Sequence, residues 1–486
     1  MKHARAIALL LAVLAASGSC APPANRPPAP SAPSAEATPP WTPGSELPPL
    51  VDDLQERTFR FFWDLANPKN GLVPDRWPTP SFSSIAAVGF ALTAYPIGAE
   101  RGWITRAEAR DRVLTTLRFL EGAPQGPAPR GMTGHQGFFY HFLDMKTGAR
   151  FEQVELSTID TTLLLAGALF CQSYFDGDDP GETEIRNLAE TLYRRADWNW
   201  ARPSPPRVSM GWHPEKGFID YEWAGLNEAM ILYVLALGSP THPIDPAEWE
   251  AWTSTYRWGT FHGQEHVNFA PLFGHQYSHV WIDFRGIQDA YMRERGIDYF
   301  ENSRRATYSQ QAYAIANPGG FAGYGADVWG LTACDGPLDG TLTLGGRSRL
   351  FKTYTARGAA LGEINDDGTI APTAAAAAIA FAPEIAIPVI QAMHRRWGDH
   401  LYSKYGFLDS FNPTLDVETR TQHGKVVPGV GWFDGDYLGI DQGPIVAMIE
   451  NHRSDLVWRV MRKNPHIRRG LERAGFTGGW LDTKTD

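Results

Sequence analysis

Six stretches of the chain repeat one hydrophobic pattern, in which a small or polar approach leads into an almost wholly apolar run. They are S-S-I-A-A-V-G-F-A-L-T-A-Y from Ser83, S-T-I-D-T-T-L-L-L-A-G-A-L-F from Ser157, Ala224–Leu237, V-W-I-D-F-R-G-I-Q-D-A-Y from Val280, P-T-A-A-A-A-A-I-A-F-A from Pro372, and G-I-D-Q-G-P-I-V-A-M-I-E from Gly439. Between them lie segments with one charged face: Arg106–Leu120, Glu182–Ala196, Pro246–Tyr256, Tyr299–Ala316 and Glu384–Trp397. A helix that is apolar all round lies buried, and one with a charged face lies outside. Six buried helices alternating with outer ones predict an all-α fold, the (α/α)6 toroid. It is expected as a single domain over residues 50–486, with Glu56–Leu65 as an amphipathic first helix. The repeat is loose, at roughly 60–90 residues, so the pattern indicates an architecture and not a tandem array. Gly- and aromatic-rich connections (131–151, 258–279, 317–352, 406–437) are expected to gather at one end and build a cleft.

The densest polar chemistry runs from Phe218 to Pro240, where Asp220, Tyr221, Glu222, Trp223, Asn227 and Glu228 precede an apolar run that stops at Gly238-Ser239-Pro240. Gly followed by Pro is a helix stop. Glu228, near the helix start, would feel the partial positive charge of that terminus. Other inner helices have acidic approaches too: Glu155 and Asp160, Asp283, and Asp434, Asp436 and Asp441, with Asp409 in G-F-L-D-S-F-N-P. Carboxylates converging on an aromatic cleft suit glycoside hydrolysis, which needs one carboxyl as acid and another as base or nucleophile. Like charges close together also lift the pKa of one member. The plainer role for such acids is helix capping, which Ser157 and Asp160 both suit, and about half are expected to be structural.

Composition narrows the partners. Aromatic residues make up 12% of the 486 (17 Trp, 17 Tyr, 25 Phe), a supply of faces on which sugar rings stack. A net charge of −10 disfavours nucleic acid and anionic membrane surfaces. Lys2, His3 and Arg5 before the apolar run Ala6–Ala16 read as an export signal. The run ends Ser17-Gly18-Ser19-Cys20, similar to a bacterial lipobox, so residues 1–20 are expected to be a signal peptide and Cys20 the lipidated residue, with plain cleavage the alternative. Residues 21–49, rich in Pro, Ala and Ser, form a tether. The expected location is the periplasm or an outer-membrane-anchored lipoprotein, touching membrane only through the lipid. His262/His266 and His275/His279 have spacings that metals use, but there is no HExxH and no Cys partner, so neither metal nor cofactor is expected. No phosphate loop, nucleophile elbow or Rossmann fingerprint appears.

The chain resembles the bacterial glucoamylase-like proteins that include the β-1,2-glucanases of glycoside hydrolase family 144. The resemblance rests on R-T-F-R-F-F-W-D with N-G-L-V-P-D-R, V-E-L-S-T-I-D-T-T-L-L-L-A-G, W-A-G-L-N-E-A-M-I-L-Y-V-L-A-L-G-S-P, F-G-H-Q-Y-S-H-V-W-I-D-F-R and G-I-D-Q-G-P-I-V-A-M-I-E-N-H, which span nearly the whole chain after the tether. It implies the toroid, export, and hydrolysis of β-glucan with inversion, and it suggests Glu228 as general acid; apart from the resemblance, a monomer is expected. Asp441 or Asp160 would be the base, with Asp409 behind them. Tyr221, Trp223, His275, Tyr277 and Trp432 would hold glucose units, alongside the acids Glu155, Asp220, Glu222, Asp283, Asp409 and Asp434. Two other classes are weighed against this. A polysaccharide lyase would use Tyr277 and His279 but would want a basic cleft. A non-catalytic glycan-binding lipoprotein would need aromatics but no paired acids.

Overall fold

The computed structural model of the chain describes residues 47–483, so Cys20, the signal segment and nearly all of the tether lie outside the described residues. The α-helices are α1 Pro49–Leu65, α2 Ile85–Glu100, α3 Arg106–Gly122, α4 Thr158–Tyr174, α5 Pro180–Arg195, α6 Met230–Gly238, α7 Ala247–Thr253, α8 Phe273–Trp281, α9 Ala290–Arg295, α10 Tyr299–Ala316, α11 Pro372–Ala376, α12 Pro383–Leu401, α13 Gly439–Ser454, α14 Leu456–Met461 and α15 Pro465–Arg473. Strands of two to five residues occupy the connections.

The apolar runs form the inner elements, and their neighbours can be followed through side chains. Helices α2 and α4 touch backbone to backbone. A Cβ on Gly89 would lie 2.3 Å from the Leu163 carbonyl oxygen, and one on Gly167 would lie 2.1 Å from the Gly89 oxygen. Ser278 of α8 accepts from the Ile231 N–H of α6 at 3.0 Å. Gln276 of α8 donates to Ala374 O of α11 at 2.7 Å, and Thr373 of α11 donates to Asp441 O of α13 at 3.1 Å. Helix α13 packs against α2, and the first helix closes on it: Gln55 donates to Val446 O (3.2 Å) and to Glu450 (2.9 Å). Nearby, Arg76–Trp77 pairs antiparallel with Tyr437–Leu438.

The long connection between α10 and α11 is held by one buried cation. Arg357 is 0% exposed and grips Asp367 through two 2.8 Å contacts. It also donates to the carbonyls of Cys334 (2.7 Å) and Lys352 (2.8 Å). A buried guanidinium is tolerated only when paired and hydrogen-bonded in this way.

Three inner segments differ from the sequence-based expectation. The run from Pro372 is helical only over α11, and 377–381 continue in turns. Helix α6 starts at Met230 and not at Ala224, because Asn227 donates to Ala224 O and accepts from Ala229 N–H, holding 224–229 in a turn. The inner helix expected from Val280 is instead α8, which ends at Trp281. Its buried polar residues disguised it: His275 bonds Phe269 O, Gln276 bonds Ala374 O, and His279 faces Ser303 Oγ at 3.0 Å.

The α2–α4 contact gives a direct test. Gly167→Ala should lower the unfolding free energy by about 1–3 kcal/mol, because the obstruction is backbone that cannot step aside. Alanine's better helix propensity works the other way by about 1 kcal/mol. Urea unfolding decides, and an unchanged or higher midpoint would refute the tight contact.

Candidate active site

Five inner helices start at one cavity. Its wall includes Ser84 before α2, Asp160 and Leu163 in the first turns of α4, Asn227 and Glu228 before α6, Phe273 and Tyr277 of α8, and Leu438 and Ile440 at the start of α13. Serines make two of these starts: Ser84 Oγ accepts from Ala87 N–H and Ser157 Oγ from Asp160 N–H. The positive ends of several helices therefore face the same space, a setting that favours carboxylates.

Glu228 sits in the turn just before α6. Its carbonyl accepts from Ser278 Oγ at 3.1 Å, fixing the backbone, while Oε2 is buried with no hydrogen-bond partner among the described residues. Burial, reinforced by the negative charge of Asp160, lifts this carboxyl to about 7 against the pull of its own backbone N–H. Such a group keeps its proton near neutrality, and its unsatisfied oxygen is at the cavity.

Across from it, His141 lies between two acids. Its Nδ1 is 2.7 Å from Glu155 Oε1 and its Nε2 3.5 Å from Asp160 Oδ1. Burial opposes charge on the ring, yet Asp160 and Glu155 outweigh it and raise the imidazole to about 9. Glu155 falls to about 2, because His141 overcomes the cost of its burial. Asp160 moves up with burial, opposed by His141 and by the hydroxyl of Ser157.

A second group of acids surrounds Arg76. The guanidinium lies 2.6 Å from Asp335, 3.3 Å from Asp75 and 3.6 Å from Asp436. Asp409, Asp434 and Asp441 are buried around it, and carboxylate oxygens of Asp335, Asp409 and Asp434 lie within 4.8 Å of one another. That spacing resembles a cation site, but Arg76 already supplies a positive charge on Asp335. Burial and like neighbours push Asp409 and Asp434 far up, so protons neutralise part of the remaining charge. Burial also raises Asp441, to about 7, although a hydrogen bond with Asp409 pulls it down. Asp441 Oδ2 is buried with no hydrogen-bond partner among the described residues.

Of the residues singled out from sequence, Glu155, Asp160, Trp223, Glu228 and Tyr277 line the cavity. Trp223 is anchored by its Nε1 donating to Thr158 Oγ1 (3.0 Å), and Tyr277 by its hydroxyl donating to Ile440 O (3.1 Å). Asp409, Asp434 and Asp441 sit in the group around Arg76. The others lie elsewhere. Trp432 is 0% exposed, packed on Phe351 and Leu415 with its N–H on His423 O, so no ring face is free for sugar. His275 is buried and pushed down to about 3 by burial, a neutral ring bonded to Phe269 O. Asp283 lies past the far end of α8, where Arg285 and Arg462 engage it. Asp220, Tyr221 and Glu222 form the extended segment before Trp223 and are not in the wall; Glu222 faces Arg207 at 4.0 Å. Asp75, Arg76, His141 and Tyr354 line the cavity without having been assigned a role. The D-R pair of N-G-L-V-P-D-R is the visible trace of Asp75 and Arg76, and His141 in G-H-Q-G-F-F-Y-H-F reads from sequence as a cleft or packing residue.

Comparison with known proteins follows this geometry. Residues 220–465, half of the chain, match the glycoamylase family model, described as glucoamylase. The exo β-1,2-glucooligosaccharide sophorohydrolase (non-reducing end) of Parabacteroides distasonis is 30% identical over 87% of this chain, and the chain spans 57% of that protein. A glucoamylase structure from Bacteroides uniformis is similar at 31% identity and TM-score 0.75, covering 90% of this chain and 100% of its own. The endo-β-1,2-glucanase of Chitinophaga pinensis, solved with sophorotriose and glucose, is similar at 28% identity and TM-score 0.75, over 89% and 99%.

The raised affinity of Glu228 for its proton has a stability consequence. A carboxyl whose folded pKa lies above its unfolded value stabilises the fold below the unfolded pKa, and that contribution is lost as pH rises through about 7. Glu228→Gln should therefore gain on the parent between pH 5 and pH 8.5, by up to about 3 kcal/mol. Unfolding curves at the two pH values measure this; an equal difference at both would contradict the assignment.

Proposed function

We propose that this chain, which belongs to the glucoamylase-like family, is a glycoside hydrolase that cleaves β-1,2-glucan by inverting acid/base hydrolysis on an (α/α)6 barrel. The observation that carries this reading is Glu228, a carboxyl that holds its proton near neutrality with one unsatisfied oxygen at the cavity wall. In the proposed reaction Glu228 protonates the glycosidic oxygen as the bond to the anomeric carbon breaks. A second carboxylate on the opposite side takes a proton from the attacking water, directly or through a sugar hydroxyl.

Between Asp441 and Asp160, the free valences favour Asp441. Both Asp160 oxygens are engaged, by Ser157 and His141. Asp441 keeps Oδ2 without a hydrogen-bond partner among the described residues, and Asp409 beside it is pushed far up by burial, so Asp441 is the carboxyl left with room to accept a proton. Trp223 and Tyr277, held by their polar ends, would offer apolar faces to glucose units. The relatives' β-1,2-linked ligands and substrates support the choice of glucan, and they divide between exo and endo action. The acid-rich wall does not suit a lyase acting on uronates. We also read the protein as exported and lipid-anchored through Cys20, acting as a monomer.

Incubating the purified chain with β-1,2-glucan, alongside β-1,3-, β-1,4- and α-1,4-glucans, should give short products from the first alone. Glu228→Gln and Asp441→Asn should each lower turnover by about 10²–10⁴-fold with the fold intact by circular dichroism. Near-parental activity in Glu228→Gln would remove it from the acid role. Tight glycan retention without any product from the parent would favour the binding-protein reading instead.

A further inference from the structure

We infer that His141 is a positioning residue for the proposed acid: a fixed imidazolium that cross-links Glu155 and Asp160 and so keeps a negative charge in place beside Glu228. The inference rests on the hydrolase reading only for its kinetic part.

A neutral imidazole has one N–H and one lone pair, and only the doubly protonated ring donates from both nitrogens. Both nitrogens of His141 face carboxylate oxygens, at 2.7 and 3.5 Å. A lone pair aimed at either oxygen would be repulsive, so the geometry calls for the imidazolium.

The ring has little freedom to turn away. It stacks on Phe142 with centroids 3.9 Å apart. The His141 backbone N–H donates to Glu155 O (2.9 Å), and its carbonyl accepts from Ile85 N–H (3.1 Å), so the backbone is held on both sides.

Asp160 is held as firmly. One oxygen faces His141, the other accepts from Ser157 Oγ, and its backbone N–H is bonded to the same hydroxyl. Asp160 is buried, and His141 is the largest influence favouring its charged form. The Asp160 charge in turn adds to the proton affinity of Glu228. The chain of influence thus runs from the His141 cation through Asp160 to the proposed acid.

Other charged groups border this set. Asp75 and Arg76 face it from the segment before α2, while His213 faces Glu155 from the strand Gly211–His213. Arg150 and Glu215 pair with each other beyond His213. Among these, His141 alone contacts both Glu155 and Asp160.

Replacing His141 with glutamine removes the cation but keeps a side chain able to donate one hydrogen bond. Asp160 then takes up a proton at neutral pH, Glu228 loses its negative neighbour, and Glu228 gives up its proton more readily. The basic limb of the kcat/KM profile on β-1,2-glucan should move to lower pH by about one unit. A limb that stays in place while the plateau falls would reduce His141 to scaffolding and overturn the inference. A second measurement needs neither turnover nor the variant's folding beyond assignment. Nitrogen-15 spectra of histidine-labelled parent protein should show both ring nitrogens of His141 protonated at pH 7.5, with titration near 9. A neutral His141 ring at pH 7.5 would overturn the inference even if the glucan is cleaved. Failure of the parent to cleave any glucan would sink the hydrolase reading, and the ring spectrum would still decide the state of His141.

Discussion

The site depends on how one arginine distributes its charge. Arg76 stands among six carboxyls, Asp75, Asp335, Asp409, Asp434, Asp436 and Asp441, brought together by three widely separated parts of the chain. A single buried cation cannot balance so many ionised acids, and an uncompensated buried charge is far more costly than a retained proton. Asp409 and Asp434 therefore hold protons, and it is the proton on Asp409 that leaves Asp441 as an acceptor. On the facing wall the logic is reversed. His141 offsets the burial of Glu155 and Asp160 and holds Glu155 charged, and the nearby Glu228, with no cation against it among the described residues, keeps its proton. Acid and base character are thus separated by where the positive charges sit, with the same side-chain chemistry on both sides.

Much of this frame can be read from the sequence, for a physical reason. A helix buried on every side must be apolar on every side, so α2, α4 and α13 announce themselves, and their small or polar approaches mark the ends that face the cavity. Reading failed where burial was achieved by pairing instead of by apolarity. The polar side chains of F-G-H-Q-Y-S-H are all buried and mostly bonded, so α8 resembled a loop and Asp283 was placed at the wrong end of it. Trp432 failed for the complementary reason: an aromatic next to acids in sequence reads as a sugar platform, but its ring fills a small satellite core. Nothing local in the chain announces that His141 would meet Asp160, because the contact depends on two connections folding onto the same helix start.

The relatives agree with the frame more than with the details. Glucoamylase-like and β-1,2-glucanase structures share the architecture over nearly the whole described chain. The named relatives divide between exo and endo action, and the connections that rim the cavity are where such differences have room to lie. The longest of these is organised by Arg357, whose guanidinium ties Asp367 to the carbonyls of Cys334 and Lys352 and so sets the positions of Asp335 and Tyr354. A buried ion pair outside the cavity wall thus holds a connection that contributes Tyr354 to that wall.

The pairing of Arg76–Trp77 with Tyr437–Leu438, and of α1 with α13, has a consequence for how the protein comes into being. These partners are separated by most of the chain, and contacts so distant in sequence form late and slowly. A polypeptide still emerging from the ribosome has Asp75 and Arg76 but not Asp434, Asp436 or Asp441, and its first helix has no α13 to close upon. Competence arrives all at once, with the final stretch of the chain. Any chain cut short before α13 would carry Glu228, the proposed acid, and still lack Asp441, the proposed base.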